Sequence, residues 1–385
     1  MLGCYVLNER YEDSTERKLD GTCDWILSRP AFLNWLSPDV PGTTAELLWI
    51  HGPAGFGKTI LCARLVDYLV SALGTPVVHF FFSSDVERED PFVVIRSWVS
   101  QIVTHHAGAF DLVRQRWEAE QHQFATRKTI VKLFRELLQA IPGCTLVVDG
   151  LDECTPQNNS QPVAKFLEIM KEAVADTSTR VMIVSRNETD IRRCLLRDRA
   201  WVATEYKILP EDVRADTASY SASIVHRKLS NKTEDVKNDI SERMTERCAG
   251  QFLVLKMQED CLDGGLNKKQ LRRVIDEEPR SLERLYQRNW DRITGSRERE
   301  RCRAIALLRW AAFAMRPLTV GEITEAVLID EDCDDFPIDE LPEVIDDVFI
   351  DRQILGLCMS LLEVRSASDP STGLRTVHLT HFSVK

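Results

Sequence analysis

The segment Gly52-Pro-Ala-Gly-Phe-Gly-Lys-Thr59 constrains the fold of this chain more than any other segment. It matches the pattern GxxxxGK[ST] at every fixed position, follows the apolar run Leu47–Ile50, and precedes leucines at four-residue spacing from Leu61. Buried parallel strands are continuous apolar runs, and leucines at that spacing form one face of a helix. The segment is therefore predicted to be a glycine-rich turn between a buried strand and an amphipathic helix.

Such a turn is suited to binding phosphate. Glycines allow backbone N–H groups to converge on an anion, and the positive end of the following helix points the same way. Lys58 would add a charge for the β- and γ-phosphates, and the Thr59 hydroxyl is a hard oxygen ligand for Mg²⁺. A glycine-rich turn without a ligand is the alternative interpretation. The predicted nucleotide-binding residues are Gly52, Pro53, Ala54, Gly55, Phe56, Gly57, Lys58 and Thr59.

Short apolar runs separated by helical patterns extend this α/β architecture to residue 209. Strands that alternate with amphipathic helices predict a parallel sheet covered on both faces. The polar link 37–44 predicts a loop, and residues 1–20 show no periodicity that predicts an element. Besides Leu47–Ile50, the predicted strands are Val77–Phe82, Thr145–Asp149, Val181–Ser185 and Tyr206–Leu209.

The alternation ends at Pro210. Residues 211–295 show helical patterns only. Thr319, with Glu322 three positions later, predicts a capping box at the start of a further short helix. The acidic stretch Asp330–Asp347 is interpreted as a solvated surface loop. The last apolar runs, which flank a turn-rich stretch, predict a hairpin, and helices followed by a hairpin indicate a winged-helix module. These two runs are Leu361–Val364 and Thr376–Leu379.

Acidic side chains follow the third predicted strand. Asp149 ends that strand, and a buried carboxylate there is costly unless it meets a metal or a fixed donor, so Asp149 is a candidate Mg²⁺ ligand. Asp152 and Glu153 lie just beyond the strand end, where open α/β sheets bind ligands, and one of them would orient or deprotonate the attacking water. Alone, the acidic residues would equally fit a surface loop. Arg186, after the fourth strand, is placed to reach a γ-phosphate or is an ordinary surface arginine.

The composition of the chain limits the classes of partner that it can bind. The 385 residues carry a net charge of −11, which disfavours a sequence-independent grip on nucleic acid or on anionic membrane. The 11 cysteines are scattered singly and predict reduced, buried thiols. Met1–Arg10 lacks the pattern of a signal peptide, and no run approaches the length of a membrane span. A cytoplasmic protein is expected.

In this order and spacing, the glycine-rich loop, the acidic strand end and the arginine after the fourth strand resemble the NACHT class of STAND NTPases. The form is similar to that of large fungal proteins with a nephrocystin-type N-terminal NTPase region, and the resemblance covers nearly the whole chain from Gly21. The segments that carry it are GTCDWILSRPAFLNWL, LLWIHGPAGFGKTILCARLV, DGLDEC, VMIVSRNE, CAGQFLVLKM (resembling a family helix), ALLRWAAFAMRPLTVGEITEAV and VHLTHFSVK.

The resemblance implies an N-terminal segment (1–40), a NACHT P-loop NTPase domain (41–209), a helical lid (210–298) and a winged-helix domain (299–385) truncated at its end. It implies that the P-loop strand lies beside the strand that ends at Ser185. Lid and winged helix would close over bound ADP, and exchange for ATP would open them and permit self-association.

The resemblance also implies two further contacts with the nucleotide. His381 matches a winged-helix histidine that contacts the ADP β-phosphate in related proteins, with His378 as the second choice and a structural histidine as the alternative. The stretch Thr22–Trp25 would contact the base or ribose, although Trp25 is equally suited to packing.

The predicted function is a nucleotide-operated signalling switch that binds ATP/ADP, or GTP, with Mg²⁺ and hydrolyses the triphosphate slowly to reset. A non-hydrolysing nucleotide-bound scaffold is the alternative, which the acidity of Asp149, Asp152 and Glu153 disfavours. A small-molecule kinase would not need the helical and winged-helix parts, and a nucleic-acid motor would be more basic. A DNA-binding winged helix is a further alternative. The expected partners are nucleotide, further copies of the chain and other proteins.

Overall fold

The computed structural model of the chain describes residues 9–36, 45–82, 90–120, 126–154, 162–196, 201–329, 336–365, 372–381 and 384. The predicted loop 37–44 lies outside these ranges. The chain divides into two compact units, Met1–Asp216 and Thr217–Lys385. Within the described part of the chain, no helix is long and apolar enough to cross a membrane, and no two cysteines form a disulfide.

The first unit alternates helices and strands. Its strands are β1 (Glu46–His51), β2 (Val77–Phe81), β3 (Thr145–Asp149), β4 (Arg180–Ser185) and β5 (Val202–Lys207). Its helices are α1 (Glu9–Arg17), α2 (Pro30–Leu36), α3 (Lys58–Ala72), α4 (Val93–His105), α5 (Ala107–Glu120), α6 (Arg127–Ala140), α7 (Pro162–Val174) and α8 (Thr189–Leu196). A single 3₁₀ turn, Asp24–Ser28, precedes α2.

The five strands form one parallel sheet in the order β2-β3-β4-β1-β5. The predicted neighbourhood of β1 and β4 is confirmed, with His51 opposite Ser185. β4 also pairs with β3, which places Asp149 opposite Val184. Because the strands are parallel and in register, the carboxyl ends of β1, β3 and β4 lie at one edge of the sheet, and this edge carries the candidate site.

Helices cover both faces of the sheet. Trp49 of β1 belongs to a core that includes Trp98 of α4 and Phe134 of α6. Successive residues of a strand point to opposite faces, and the neighbouring residues Leu48 and Ile50 are buried outside that core. α3 packs against β2, β3 and β4. The predicted α/β class, a P-loop NTPase sheet with helices on both faces, is confirmed.

The predicted bounds of the fifth strand are wrong. The prediction was Tyr206–Leu209, whereas β5 is Val202–Lys207 and Leu209 lies beyond it, 45% exposed. β5 is an edge strand whose residues are exposed or half-buried, so it lacks the continuous apolar run of a central strand. The apolar pattern therefore located the strand too late in the chain.

The helix α1 was not predicted. Its sequence, ERYEDSTER, has no apolar stripe, and Ser14 is the residue of this helix that is buried. Periodicity detects helices that bury leucines, not helices held by polar side chains. α1 packs against α3 through contacts described below.

The second unit is mainly helical. Residues 211–295 contain helices only, as predicted, but the segment CAGQFLVLKM is not one helix. α10 ends at Cys248, Ala249 adopts the left-handed region at φ 48°, and α11 begins at Phe252. The helices are α9 (Arg214–Lys228, which crosses the division between the units), α10 (Glu234–Cys248), α11 (Phe252–Gln258), α12 (Lys268–Glu277), α13 (Leu282–Thr294), α14 (Glu298–Phe313), α15 (Val320–Ala326), α16 (Asp347–Ile350) and α17 (Gly356–Cys358).

A small antiparallel sheet completes the second unit. It consists of β6 (Leu318–Thr319), β7 (Leu362–Arg365) and β8 (Thr376–Leu379) in the order β6-β8-β7. The pairing of β7 with β8 confirms the predicted hairpin, and both hydrogen bonds of the predicted capping box at Thr319 are present. Part of the acidic stretch, 330–335, lies outside the described residues. The winged helix and the four domain boundaries stay predictions.

Candidate functional site

The glycine-rich loop joins β1 to α3 as predicted. Gly55 and Gly57 have φ values of +78° and +71°, a region that side chains with a Cβ rarely adopt. α3 begins at Lys58, so its first backbone N–H groups, which have no partner within the helix, lie in the loop. Since α3 spans 15 residues, its dipole places partial positive charge at the same point. The loop is thus shaped to surround an anion.

The Lys58 side chain folds back over this loop. Its Nζ donates hydrogen bonds to the carbonyl oxygens of Gly52, at 2.9 Å, and Pro53, at 2.8 Å. Burial lowers the pKa of Lys58, while the charges of Asp152 and Asp149 oppose that shift. The two carbonyl oxygens hold the ammonium group near the loop, and a phosphate oxygen would be a stronger, charge-assisted acceptor.

Asp149 ends β3 and is 1% exposed. Burial raises its pKa to about 7, with a further increase from Glu153 and Asp152, against the lowering effects of Arg10 and of a hydrogen bond with the Thr59 hydroxyl. Its Oδ2 atom has no hydrogen-bond partner among the described residues. A buried carboxylate with an open oxygen, next to a hydroxyl, fits a hard cation such as Mg²⁺.

Asp149 and Thr59 would be the protein ligands of such a cation. Among the described residues, no cluster of three or more His, Cys, Asp or Glu side chains is placed to hold a metal by itself. This donor set fits Mg²⁺, which binds proteins through one or two oxygen ligands and otherwise keeps waters and substrate phosphates.

Asp152 and Arg186 form a hydrogen-bonded ion pair between the carboxyl ends of β3 and β4. The Arg186 backbone N–H donates to Asp152 Oδ1 at 2.9 Å, and Arg186 Nε lies 3.3 Å from Asp152 Oδ2. Burial raises the pKa of Asp152, and the Arg186 N–H group lowers it. The aspartate thereby fixes the position of the arginine at the edge of the sheet.

Glu153 is paired with an arginine that the sequence did not single out. Arg10 of α1 donates from Nη1 to Glu153 Oε2 at 2.7 Å and from Nη2 to Oε1 at 2.9 Å. Arg10 Nη1 also donates to the Phe82 carbonyl oxygen. Burial lowers the pKa of Arg10, but the charge and hydrogen bonds of Glu153 together with the charges of Asp149 and Asp152 outweigh burial, and the pKa is raised. No motif marks Arg10, and 143 residues separate it from Glu153.

Gly150 makes the sharp turn that brings these acids to the sheet edge. It has φ +78°, and its N–H donates to the Val184 carbonyl oxygen at 3.0 Å. An added Cβ would lie 3.3 Å from the Phe82 Cβ, so a side chain here would need both strain and displacement. The short 3₁₀ turn Leu151–Glu153 follows directly.

The stretch Thr22–Trp25 is held to the end of the first unit. The Cys23 N–H donates to Asp216 Oδ2 at 2.8 Å. The Trp25 ring lies 6.0 Å from the Tyr206 ring between centroids. Packing of Trp25 accounts for this arrangement, and the contact with a base or ribose stays a prediction.

His381 and His378 belong to the second unit. His381 follows β8 and is half-buried, and His378 Nε2 lies 2.8 Å from the Thr376 hydroxyl. The predicted contact between His381 and a nucleotide phosphate stays a prediction.

Comparison with known proteins bears on this site directly. Residues 21–186, which include the loop, the three acids and Arg186, match the family described as Nephrocystin 3, N-terminal. The resemblance to nephrocystin-type NTPase regions, predicted from the sequence motifs, is confirmed. Arg10 lies ahead of the nephrocystin-type region, and the second unit follows it.

A curated relative extends the similarity along the chain. The vegetative incompatibility protein HET-E-1 of Podospora anserina is 26% identical, over 95% of this chain. The chain spans about a quarter of that relative, since the match covers 26% of its length.

Two solved structures are similar over most of their length. Cdc6p of Pyrobaculum aerophilum has a TM-score of 0.42 at 13% identity, covering 98% of this chain and 95% of its own. Drosophila ORC bound to DNA has a TM-score of 0.42 at 13% identity, covering 97% and 95%. The strand order and the loop geometry of the first unit establish its α/β fold.

Proposed function

We propose that this chain is a nucleotide-operated signalling switch of the NACHT type, which binds ATP or GTP with Mg²⁺ and hydrolyses it slowly. One observation carries the proposal: the glycine-rich loop ends at Thr59, whose hydroxyl meets the buried carboxylate of Asp149. An anion-binding loop and an open carboxylate oxygen side by side suit a triphosphate with its metal ion. Similarity to the HET-E-1 protein supports the signalling role and suggests vegetative incompatibility as its context.

In this proposal each residue has one task. The loop amides and Lys58 bind the phosphates, while Thr59 and Asp149 hold Mg²⁺, which neutralises the charge on the phosphate oxygens. Glu153 accepts a proton from the attacking water or orients it, since its carboxylate lies at the same sheet edge. Asp152 positions Arg186, with Arg186 Nε 3.3 Å from Asp152 Oδ2, so that the guanidinium reaches the γ-phosphate.

The predicted lid (210–298), winged helix (299–385) and His381 would make nucleotide exchange a change of state of the whole chain. ADP would favour a closed form, ATP an open form that associates with further copies. A cytoplasmic location fits this role.

A second candidate function has one observation in its favour. Both candidate water-activating acids are engaged, Asp152 by Arg186 and Glu153 by Arg10. Carboxylates held in this way suit a nucleotide-bound scaffold that does not hydrolyse its ligand.

The test begins with the purified chain. Denaturation and chromatography should release a bound nucleotide, and the Lys58→Ala variant should carry none and bind ATP and GTP weakly. A wild-type chain without nucleotide, together with unchanged ATP and GTP affinity in Lys58→Ala, contradicts nucleotide binding at this loop. Turnover by Glu153→Gln and Asp152→Asn then separates the two functions, because normal hydrolysis in both variants removes these acids from the reaction.

A further inference from the structure

Two residues of helix α1, Arg10 and Tyr11, hold it against α3 and β2. The Tyr11 hydroxyl donates to Asp67 Oδ1 of α3 at 2.5 Å. The Tyr11 ring lies 4.5 Å from the His79 ring and 5.6 Å from the Phe81 ring of β2, between centroids. These contacts hold the neighbouring Arg10 at the carboxyl end of β2, where it reaches the Phe82 carbonyl oxygen.

Arg10 engages both oxygens of Glu153. The arginine and glutamate side chains are 23% and 9% exposed, so water screens the pair only in part. Bidentate arginine–carboxylate pairs fix the geometry of the carboxylate as well as its charge. A general base must be within hydrogen-bond reach of the water it activates. The oxygens of Glu153 are directed at Arg10 instead.

We propose that α1 is a latch, in which Arg10 positions Glu153 away from water and so suppresses hydrolysis until α1 is released. The proposal rests on the proposed role of Glu153 and deepens it. Arg10 is a positioning residue rather than a catalytic one, since it acts through the carboxylate. The latch would also account for a stable nucleotide-bound state together with slow turnover, because Glu153 is present in the site but is held by Arg10.

Arg10 interacts electrostatically with all three acidic residues of the site. The charges of Glu153, Asp149 and Asp152 all act on Arg10, so the guanidinium adds positive charge beside the three carboxylates, although its hydrogen-bonded partner is Glu153. Loss of α1 docking would leave Glu153 without this partner and able to turn towards solvent. Release of one helix would therefore change the site without altering the loop that binds phosphate.

The first experiment compares Arg10→Ala with Arg17→Ala, which changes an exposed arginine of the same helix. We expect ATP turnover to rise about tenfold in Arg10→Ala, a part of the 10²- to 10⁴-fold that general-base catalysis contributes. ATP affinity should be unchanged, and Arg17→Ala should turn over as wild type. Unchanged or lower turnover in a folded Arg10→Ala variant overturns the latch. If Arg10→Ala does not fold, Arg10→Lys replaces it in this comparison, because lysine keeps the charge and loses the bidentate geometry.

Two further measurements separate the latch from a purely structural role. Tyr11→Phe removes the hydrogen bond to Asp67 without touching Glu153, and should raise both the amide hydrogen exchange of residues 10–17 and turnover. Faster exchange with unchanged turnover overturns the latch. In the Arg10→Ala, Glu153→Gln double variant the rise should vanish. If Glu153→Gln alone turns over as wild type, the proposed role of Glu153 fails, which is distinct from failure of the latch.

Discussion

The two halves of the candidate site are built in different ways. The phosphate half is one continuous segment, Gly52–Thr59, whose shape follows from two glycines and the start of a helix. The acid half joins Asp149, Asp152 and Glu153 to arginines that lie 34 and 143 residues away from their partners along the chain.

This difference separates binding from reactivity. A contiguous loop keeps its shape wherever strand and helix form, because its contacts are local. The charge state and direction of a carboxylate depend on whatever the fold places beside it. We therefore expect changes in the phosphate half to alter affinity, and changes in the acid half to alter turnover, pH dependence and discrimination between nucleotides.

Replacing Glu153, the acid held by Arg10, is the strongest test of the division between nucleotide binding and reactivity. Glu153→Gln should lower turnover by about 10 to 10³, the range for general-base catalysis less the tenfold that Arg10 withholds, and leave nucleotide affinity within about twofold. Single-turnover hydrolysis and a titration with a fluorescent nucleotide measure the two quantities. A large loss of affinity in this variant would mean that the two halves are not separable.

Lys58→Ala should affect affinity first. Hydrogen bonds to charged groups contribute about 1.5–3 kcal/mol, so we expect roughly 100-fold weaker binding of ATP by calorimetry. Lys128 lies on α6, outside the loop, and Lys128→Ala is the matched control for loss of one positive charge. Equal weakening in both variants would indicate general electrostatics rather than the loop.

The pH dependence of Mg²⁺ binding tests the role of Asp149 in the acid half. Because burial raises the pKa of Asp149 to about 7, the proton competes with Mg²⁺ below that pH. The gain in nucleotide affinity on adding Mg²⁺ should rise about tenfold between pH 6 and pH 8. The same titration with EDTA in place of Mg²⁺ corrects for ionisation of the phosphates. Asp149→Asn should lose this rise, and a rise that persists would assign it to another group.

The smallest effect is expected for Arg186. Arg186→Ala should reduce the preference for ATP over ADP by about fivefold, since a partly exposed ion pair contributes about 1 kcal/mol. Asp152→Asn should weaken the same preference less, because it frees the arginine without removing it. Competition binding measures both. An unchanged preference in Arg186→Ala would leave γ-phosphate sensing to other residues.

The sequence by itself determined the elements whose contacts are local or whose burial is complete. The loop, the strand ending at Asp149 and the capping box at Thr319 were predicted with their residues, because glycine positions, continuous apolar runs and caps act over a few residues. The antiparallel hairpin of the second unit was predicted for the same reason.

Only the tertiary structure decided the remainder. The exposed edge strand β5 carries too few buried residues for its bounds to follow from hydropathy. The helix α1 is polar throughout, so the docking of Tyr11 and the pairing of Arg10 with Glu153 leave no periodic signal. Ion pairs between distant positions depend on which surfaces meet. The sequence thus placed the acids at the sheet edge, and the fold decided which arginine holds each one.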